Sequence, residues 1–363
     1  MKIIKGLILA GGLGKRLRPL THTGPKQLIP IANKPSLHYC IEDLVNAGIK
    51  DIGIIVGYTE ERINKIKEAI GDGSKWEAKI SYIEQDAPRG LAHAVWIAKD
   101  FLENDDFVVY LGDNMLKSGI KYFVDNFKKS GADASILLAE VKNPKMFGVA
   151  TLDKNGNVIE VEEKPENPKT NYAITGIYLF SPIILDFIEG LQPSARNELE
   201  LTHAIQKLIA SKKHKISSHF VEGWWDDAGT VEDVLHANHM VLSELKKIEN
   251  DGKLEGNVKL IGNYVIGEGT VIKKESIIKG PAVIGKNCNI GPNTYIGPYT
   301  SIGDNTTVEG GEIESSIIMG NSTIRCNGKI VDSLIGKHST ITTSGKLPRG
   351  HRLIVGENSS ISL

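Results

Sequence analysis

Cysteine is scarce in this chain: Cys40, Cys288 and Cys326 are all there are in 363 residues, an odd number without metal-ligand spacing. That argues against a disulfide framework and a zinc site, and the thiols are read as buried or incidental and reduced. Charge of one sign is lacking too. A formal net charge of -1 gives no basic footprint for non-specific binding of nucleic acid. No stretch is long and apolar enough to span a bilayer, and Met1 to Lys5 lead into a strand rather than a signal peptide's hydrophobic region. A cytoplasmic protein with no membrane partner is expected. Two familiar nucleotide loops are absent as well. A P-loop would need Ser or Thr where Arg16 follows Lys15, and glycine where Leu9 stands. A dinucleotide fingerprint would need a third glycine at Leu17.

What is present starts with IIKGLILAGGLGKRLRPLTHTGPKQLIPIANKP. Leu7 to Ala10 read as a short apolar strand, and Gly11, Gly12 and Gly14 follow where a backbone turns tightly and approaches a ligand without Cβ interference. Arg16 and Lys26 then add fixed positive charge suited to a polyphosphate. Glycine turns with solvated basic neighbours are common, so the specificity lies in the whole string.

Length and a 40% apolar content suggest about two domains, each with its own core. In the first, short apolar strands alternate with amphipathic helices, as in an α/β sheet of mostly parallel order. Strands are expected at Asp51 to Val56, Lys79 to Ile83, Phe107 to Leu111, Ala134 to Val141 and Tyr172 to Phe180. Pro35 to Ala47 has Leu37, Ile41, Leu44 and Val45 on one helical face, with Gly48 at the cap. Val231 begins another helix. This catalytic domain is expected to cover 1–245, with the polar run around 246–257 as a linker.

From 258 to 363 the period changes. Ile266, Ile272, Ile278, Ile284, Ile290, Ile296, Ile302 and Val308 recur every six residues, which predicts a left-handed parallel β-helix of stacked hexapeptides. The register breaks at GGEIES and again before Ile335, and these breaks are expected to be loops protruding from the coils. Its flat faces suit a homo-oligomer contact.

The opening string resembles the signature of sugar-phosphate nucleotidyltransferases, and PKQL, with Gln27 after Lys26, is similar to the glucose-1-phosphate thymidylyltransferases among them. GLAHA (from Gly90), YLGDN (from Tyr110), FGV (from Phe147), EEKP (from Glu162), NYAITGIY (from Asn171), RNELELT (from Arg196) and WWDDAGT (from Trp224) follow in the family's order. The resemblance implies a Rossmann-like mixed, mostly parallel sheet and transfer of a nucleotidyl group from dTTP, with UTP a second donor, to glucose 1-phosphate. It implies Mg²⁺ held by Asp113 and Asp227, with Asp226 as the competing neighbour, and Arg16 and Lys26 on the triphosphate. Gly11, Gly12, Gln27, Gln85 and Gly90 complete the nucleotide side. Lys164, Arg196, Glu163, Asn114, Gly148 and the backbone of Ile174 make the sugar-phosphate side. Gln85 can offer a pyrimidine edge both a donor and an acceptor.

The chain departs from the family at Phe147, where many relatives have Tyr, at His93, where Gln is usual, and at His203, where Asp is common. The first puts the sugar preference in doubt, and the two histidines are read as structural. Two other readings stand beside the first. A bifunctional enzyme would transfer an acyl group on the β-helix with His338 or His351 as base, and a non-catalytic sensor or scaffold would bind nucleotide sugars without turnover.

Overall fold

The computed structural model describes residues 3–343, and the chain divides into two compact units, Met1–Leu245 and Lys246–Leu363. In the first, nine strands share one sheet. Ile4–Leu9 pairs in parallel with Asp51–Val56 on one side and Asp106–Leu111 on the other, and Lys79–Glu84 extends this parallel half. Tyr172–Phe180 runs antiparallel to Asp106–Leu111, Ala134–Glu140 and Gly148–Leu152. Val158–Glu163 then folds back on Gly148–Leu152, and Ile216–Phe220 pairs with Ala134–Glu140. Helical crossovers make the first half parallel, whereas in the second a direct turn joins the antiparallel pair Gly148–Leu152 and Val158–Glu163.

The pleat sends successive side chains into two cores, as it must when both faces of a sheet are covered. Leu7, Leu9, Phe107, Val109, Tyr178 and Phe180 fill one. Ile4, Ile8, Val108, Tyr110, Ile177 and Leu179 fill the other, where the helix Ser36–Asn46 lays down Leu37, Cys40, Ile41 and Leu44. Val45, expected on that buried face, lies at its edge and is only partly covered. Cys40 and Cys288 are buried free thiols and Cys326 is half-buried.

The second unit is a left-handed β-helix of three all-parallel sheets with six, six and five strands. Ile266 pairs with Ile284, Ile284 with Ile302, Ile272 with Ile290 and Ile278 with Ile296, so each aliphatic side chain stacks on its counterpart one coil away. All eight expected positions are buried in one column. A second inward column sits two residues before each aliphatic one from Ile272 onward. Thr270, Ser276, Ala282, Cys288, Thr294, Thr300 and Thr306 are small because the coil turns its corner there, and all are buried. Threonine hydroxyls at this position bond to the corner backbone: Thr270 donates to the Gly285 carbonyl at 2.6 Å and accepts from the Cys288 amide at 2.9 Å, whereas the Ser276 hydroxyl has no partner among the described residues.

Two expectations are corrected. The run 246–257 is not a plain linker, because Ile248–Asn250 and Lys253–Leu254 pair with Tyr264–Ile266 and Val271–Ile272 as the first coil. Its charge masked a strand whose ladder bonds are main-chain. The breaks after Val308 are not protruding loops either. Ile313, Ile318 and Ile324 pair with Ile296, Ile302 and Val308, and Ile330 and Ile335 pair with Ile313 and Ile318, so the column continues and three sides are each one residue shorter. His338 is exposed, while His351 lies outside the described residues.

Removing a side chain from the middle of such a column leaves a void that neighbouring coils cannot close. Ile290→Ala should cost about 2–5 kcal/mol and lower the melting temperature in scanning calorimetry; an unchanged trace would mean that the column is not close-packed.

Candidate active site

The glycine loop leaves the central strand at its C-terminal end, the edge at which open α/β sheets take ligands. Gly11 is glycine because Gln85 comes close: a Cβ there would stand 2.5 Å from Gln85 Oε1. A Cβ at Gly12 would stand 3.8 Å from Lys26 Cε. Gln85 is buried just past Lys79–Glu84, with Nε2 3.4 Å from His93 Nδ1. Burial lowers the His93 pKa, so its neutral ring has a bare nitrogen that can accept from the amide. His93 thus touches the candidate base reader. Gln27 is buried against Gly112, and its Oε1 has no hydrogen-bond partner among the described residues. At Gly90 the chain packs closely on itself on the side that a Cβ would occupy. Gly90 has φ +102°, and a Cβ there would be 2.5 Å from the Leu199 carbonyl oxygen.

Asp113 and Asp227, far apart in sequence, meet through two strands of three residues. Asn114–Leu116 pairs antiparallel with Trp225–Asp227, with Asn114 opposite Asp227, and the Ala228 amide donates to the Asp113 carbonyl at 3.1 Å. Underneath, the Cys40 thiol lies 3.5 Å from the Asn114 carbonyl and 3.8 Å from that of Leu111. Lys26 forms an ion pair with Asp113. Arg16 lies against the turn after the other aspartate, where a Cβ at Gly229 would stand 2.8 Å from its Nη2. Burial first, then the charge of Asp113, then Asp233 and Asp226, push the Asp227 pKa up to about 7 against the pull of Arg16. The carboxylates of Asp226, Asp227 and Asp233 lie within 4.8 Å of one another. Asp226 accepts from His236 at 2.5 Å, and Asp233 accepts from the Thr230 amide at 2.8 Å in the capping box of the helix Val231–Ser243. Among the described residues Asp227 alone of the three accepts no side-chain hydrogen bond. Two hard oxygen donors repelling each other in a half-buried cleft suit a divalent cation such as Mg²⁺.

The sugar-side candidates form a neighbouring group. A Cβ at Gly148 would lie 2.9 Å from Thr202, 3.2 Å from Ile174 and 3.4 Å from Glu163 Oε2. Glu163 accepts from Thr202 Oγ1 at 3.1 Å, and burial followed by the charge of Glu200 raises its pKa. Asn114 accepts from Trp225 Nε1 at 2.5 Å, and the Trp225 ring meets Phe147 edge-on at 5.3 Å. Lys164 sits at φ +45°, a conformation worth about 1–3 kcal/mol of strain in a non-glycine residue. Its amide donates to the Phe147 carbonyl at 3.0 Å. The Arg196 guanidinium donates to both Glu200 oxygens at 2.8 Å and to Glu163 at 3.0 Å, and Glu198 lies 3.6 Å away. Three carboxylates compensate its charge, and it orders Glu163. Thr202, Trp225 and His93 are contacts that motif reading did not place in the site, although all three stand inside quoted motifs.

A Rossmann-like sheet with a glycine loop, two cations and two apposed carboxylates at its C-terminal edge defines the nucleotide-handling α/β class. Residues 5–244 match the Nucleotidyl transferase family, and the chain belongs to it. Residues 278–362 match the GMPPB C-terminal domain. The low-salt glycan biosynthesis nucleotidyltransferase Agl11 of Haloferax volcanii is 48% identical over 361 residues, 99% of this chain and all of that one. A glucose-1-phosphate thymidylyltransferase of Streptomyces antibioticus is 49% identical over 244 residues, 67% of each chain. A Bacillus anthracis structure assigned to the same activity and solved with sucrose superposes with a TM-score of 0.61 at 38% identity, covering 65% of this chain and 94% of that one.

The position of Asp227 gives a pH dependence with a definite sign. Between its ordinary 3.8 and about 7, the metal-free folded protein holds a proton that the unfolded chain releases. Stability therefore falls as pH rises through that window. Melting temperatures of metal-free protein at about pH 5 and about pH 8 should differ less in Asp227→Asn than in the wild type. Equal differences would mean that other groups carry the slope.

Proposed function

We propose that this nucleotidyltransferase joins dTTP and glucose 1-phosphate to give dTDP-glucose and pyrophosphate. The observation that carries the reading is the apposition of Asp113 and Asp227 beside Lys26 and Arg16, next to the separate group around Glu163 and Lys164. An oxygen of the sugar phosphate attacks the α-phosphorus in line, the bond to the β-phosphate breaks, and pyrophosphate leaves with the electron pair. Both reactants are anionic, so positioning and charge compensation supply the rate without a covalent nucleophile.

In this reading Asp113 and Asp227 hold Mg²⁺, as the family's divalent-metal dependence implies. The ion, when bound, neutralises charge on the reacting phosphates. Lys26 pairs with Asp113 until substrate arrives and then turns to the triphosphate with Arg16. Gln85, braced by His93, meets the pyrimidine edge, and Gln27 lies close by under the Asp113 loop. Lys164 holds the sugar phosphate, and Glu163 takes sugar hydroxyls beside Gly148, Ile174 and Asn114. Phe147, which carries no hydroxyl, closes that wall by packing on Trp225. The full-length likeness to Agl11 supports use of the product in glycan assembly.

A panel crossing dTTP, UTP and GTP with several hexose 1-phosphates, read by pyrophosphate release, tests the reading. dTTP should lead, UTP follow and GTP fail; a GTP preference would sink the pyrimidine pocket. On the preferred pair, Asp113→Asn should abolish turnover. Lys26→Ala should raise the triphosphate KM and Lys164→Ala the sugar-phosphate KM, each losing about 2.7–4 kcal/mol of transition-state stabilisation. Exchanged phenotypes would reverse the two phosphate sites. Mg²⁺ should raise the melting temperature of the wild type near neutral pH and leave that of Asp227→Asn unmoved.

The β-helix contributes none of these groups, and we assign it to homo-oligomer assembly. Ending the chain after Leu245, ahead of the first coil, should leave measurable transferase activity in a smaller particle by light scattering. Retention of the full assembly would remove the β-helix from that role.

A further inference from the structure

Arg62 belongs to none of the motifs above, yet its side chain reaches from the helix Glu60–Ile70 into the turn that carries the nucleotide residues. Nη2 donates to the carbonyls of Thr21 at 2.6 Å, Gly24 at 3.1 Å and Leu13 at 3.2 Å, and Nη1 donates to that of Gly12 at 3.4 Å. One turn further along, Lys65 donates to the Thr23 carbonyl. Thr21 Oγ1 takes the Gly14 carbonyl at 2.7 Å. Three consecutive carbonyls, those of Gly12, Leu13 and Gly14, are therefore drawn toward Arg62 and the Thr21 hydroxyl it braces.

A trans peptide is planar, with its N–H directed opposite to its C=O. Fixing those three carbonyls fixes the amides of Leu13, Gly14 and Lys15 to face away from Arg62. Among the described residues none of these three amides donates to a protein acceptor. Successive unpaired amides on one side of a loop form a concavity for an anion. A planar guanidinium suits the task, since its donors spread in a rigid fork that a lysine lacks. The same fork holds Gly24, two residues before Lys26, so the loop and the segment that delivers Lys26 are tied to one helix.

We propose that Arg62 is a positioning residue of the nucleotide site: it turns the peptide planes of the glycine loop so that the amides of Leu13, Gly14 and Lys15 complete, with Arg16 and Lys26, the receptor for the triphosphate. This rests on the function proposed above. Arg62 does not itself hold the phosphates, because both of its terminal nitrogens are turned to main-chain oxygens.

The test uses the full chain with Arg62→Met and Arg62→Lys, separate saturation curves for dTTP and the sugar phosphate, melting curves, and calorimetric titration of dTTP with Mg²⁺ in the absence of sugar phosphate. For Arg62→Met the triphosphate KM should rise on the order of 10- to 10²-fold. The sugar-phosphate KM should stay within about twofold, since no contact on that side changes, and Arg62→Lys should fall between. A purely structural brace would lower the melting temperature or the active fraction and leave both KM values alone, and that result would overturn the proposal. So would equal rises in the two KM values. If Arg62→Met does not fold, Arg62→Lys decides, and wild-type behaviour there overturns the assignment. Failure of the wild type to turn over any pair in the substrate panel would instead overturn the proposed reaction, while weakened dTTP binding in the variants would still support the role of Arg62.

Discussion

Two carboxylates do not approach each other in a half-buried cleft unless something forces them, and here the force is main-chain. The short antiparallel ladder between Asn114–Leu116 and Trp225–Asp227 puts the residue after Asp113 opposite Asp227. Burial first, and then this repulsion, raises the pKa of Asp227. Neighbouring groups answer it only in part: Lys26 takes Asp113, and Arg16 leans on the turn after Asp227. The ladder can bear this because both of its strands are anchored, one by the Cys40 thiol and the other by the capping box that starts Val231–Ser243. An arrangement that is electrostatically unfavourable in isolation is what a site for polyanions and a hard cation requires.

The proposed sugar side is built from the opposite tension, a surplus of negative charge arranged around one arginine. Arg196 binds Glu200 through both carboxylate oxygens and Glu163 through one, so Glu163 is fixed in direction while burial and Glu200 make it less willing to ionise. A carboxyl oriented in this manner can accept from hydroxyls without drifting in solvent. Lys164 follows it directly at a left-handed φ, and the strain lets two adjacent residues direct their side chains to different tasks. Phe147 and Trp225 join the two halves of the site, because Trp225 belongs to the same short ladder that carries Asp227.

Much of this was legible in the sequence. Asp51–Val56 and Tyr172–Phe180 coincide with their expected bounds, and the six-residue period of Ile266 through Val308 specified the β-helix column. These signals are local and periodic. The elements that escaped are short or defined by a partner: the strands of three residues beside Asp113 and Asp227 have no period to read. The charged first coil at Ile248–Leu254 hid a ladder made of main-chain bonds, and Ile313 escaped because one side of the coil is a residue shorter.

By itself, then, the chain determined its two folding patterns and the order of its motifs, because hydrophobic period, glycine placement and turn chemistry act between residues close in sequence. It also determined which residue types were available for phosphate, metal and base. Tertiary structure decided which of them meet. It set Asp227 rather than Asp226 against Asp113, packed Leu199 against Gly90, surrounded Arg196 with carboxylates and brought Arg62 to the carbonyls of the glycine loop. Each of these depends on distance across the fold and on competition among neighbours for the same donors, and neither quantity is written in the local sequence.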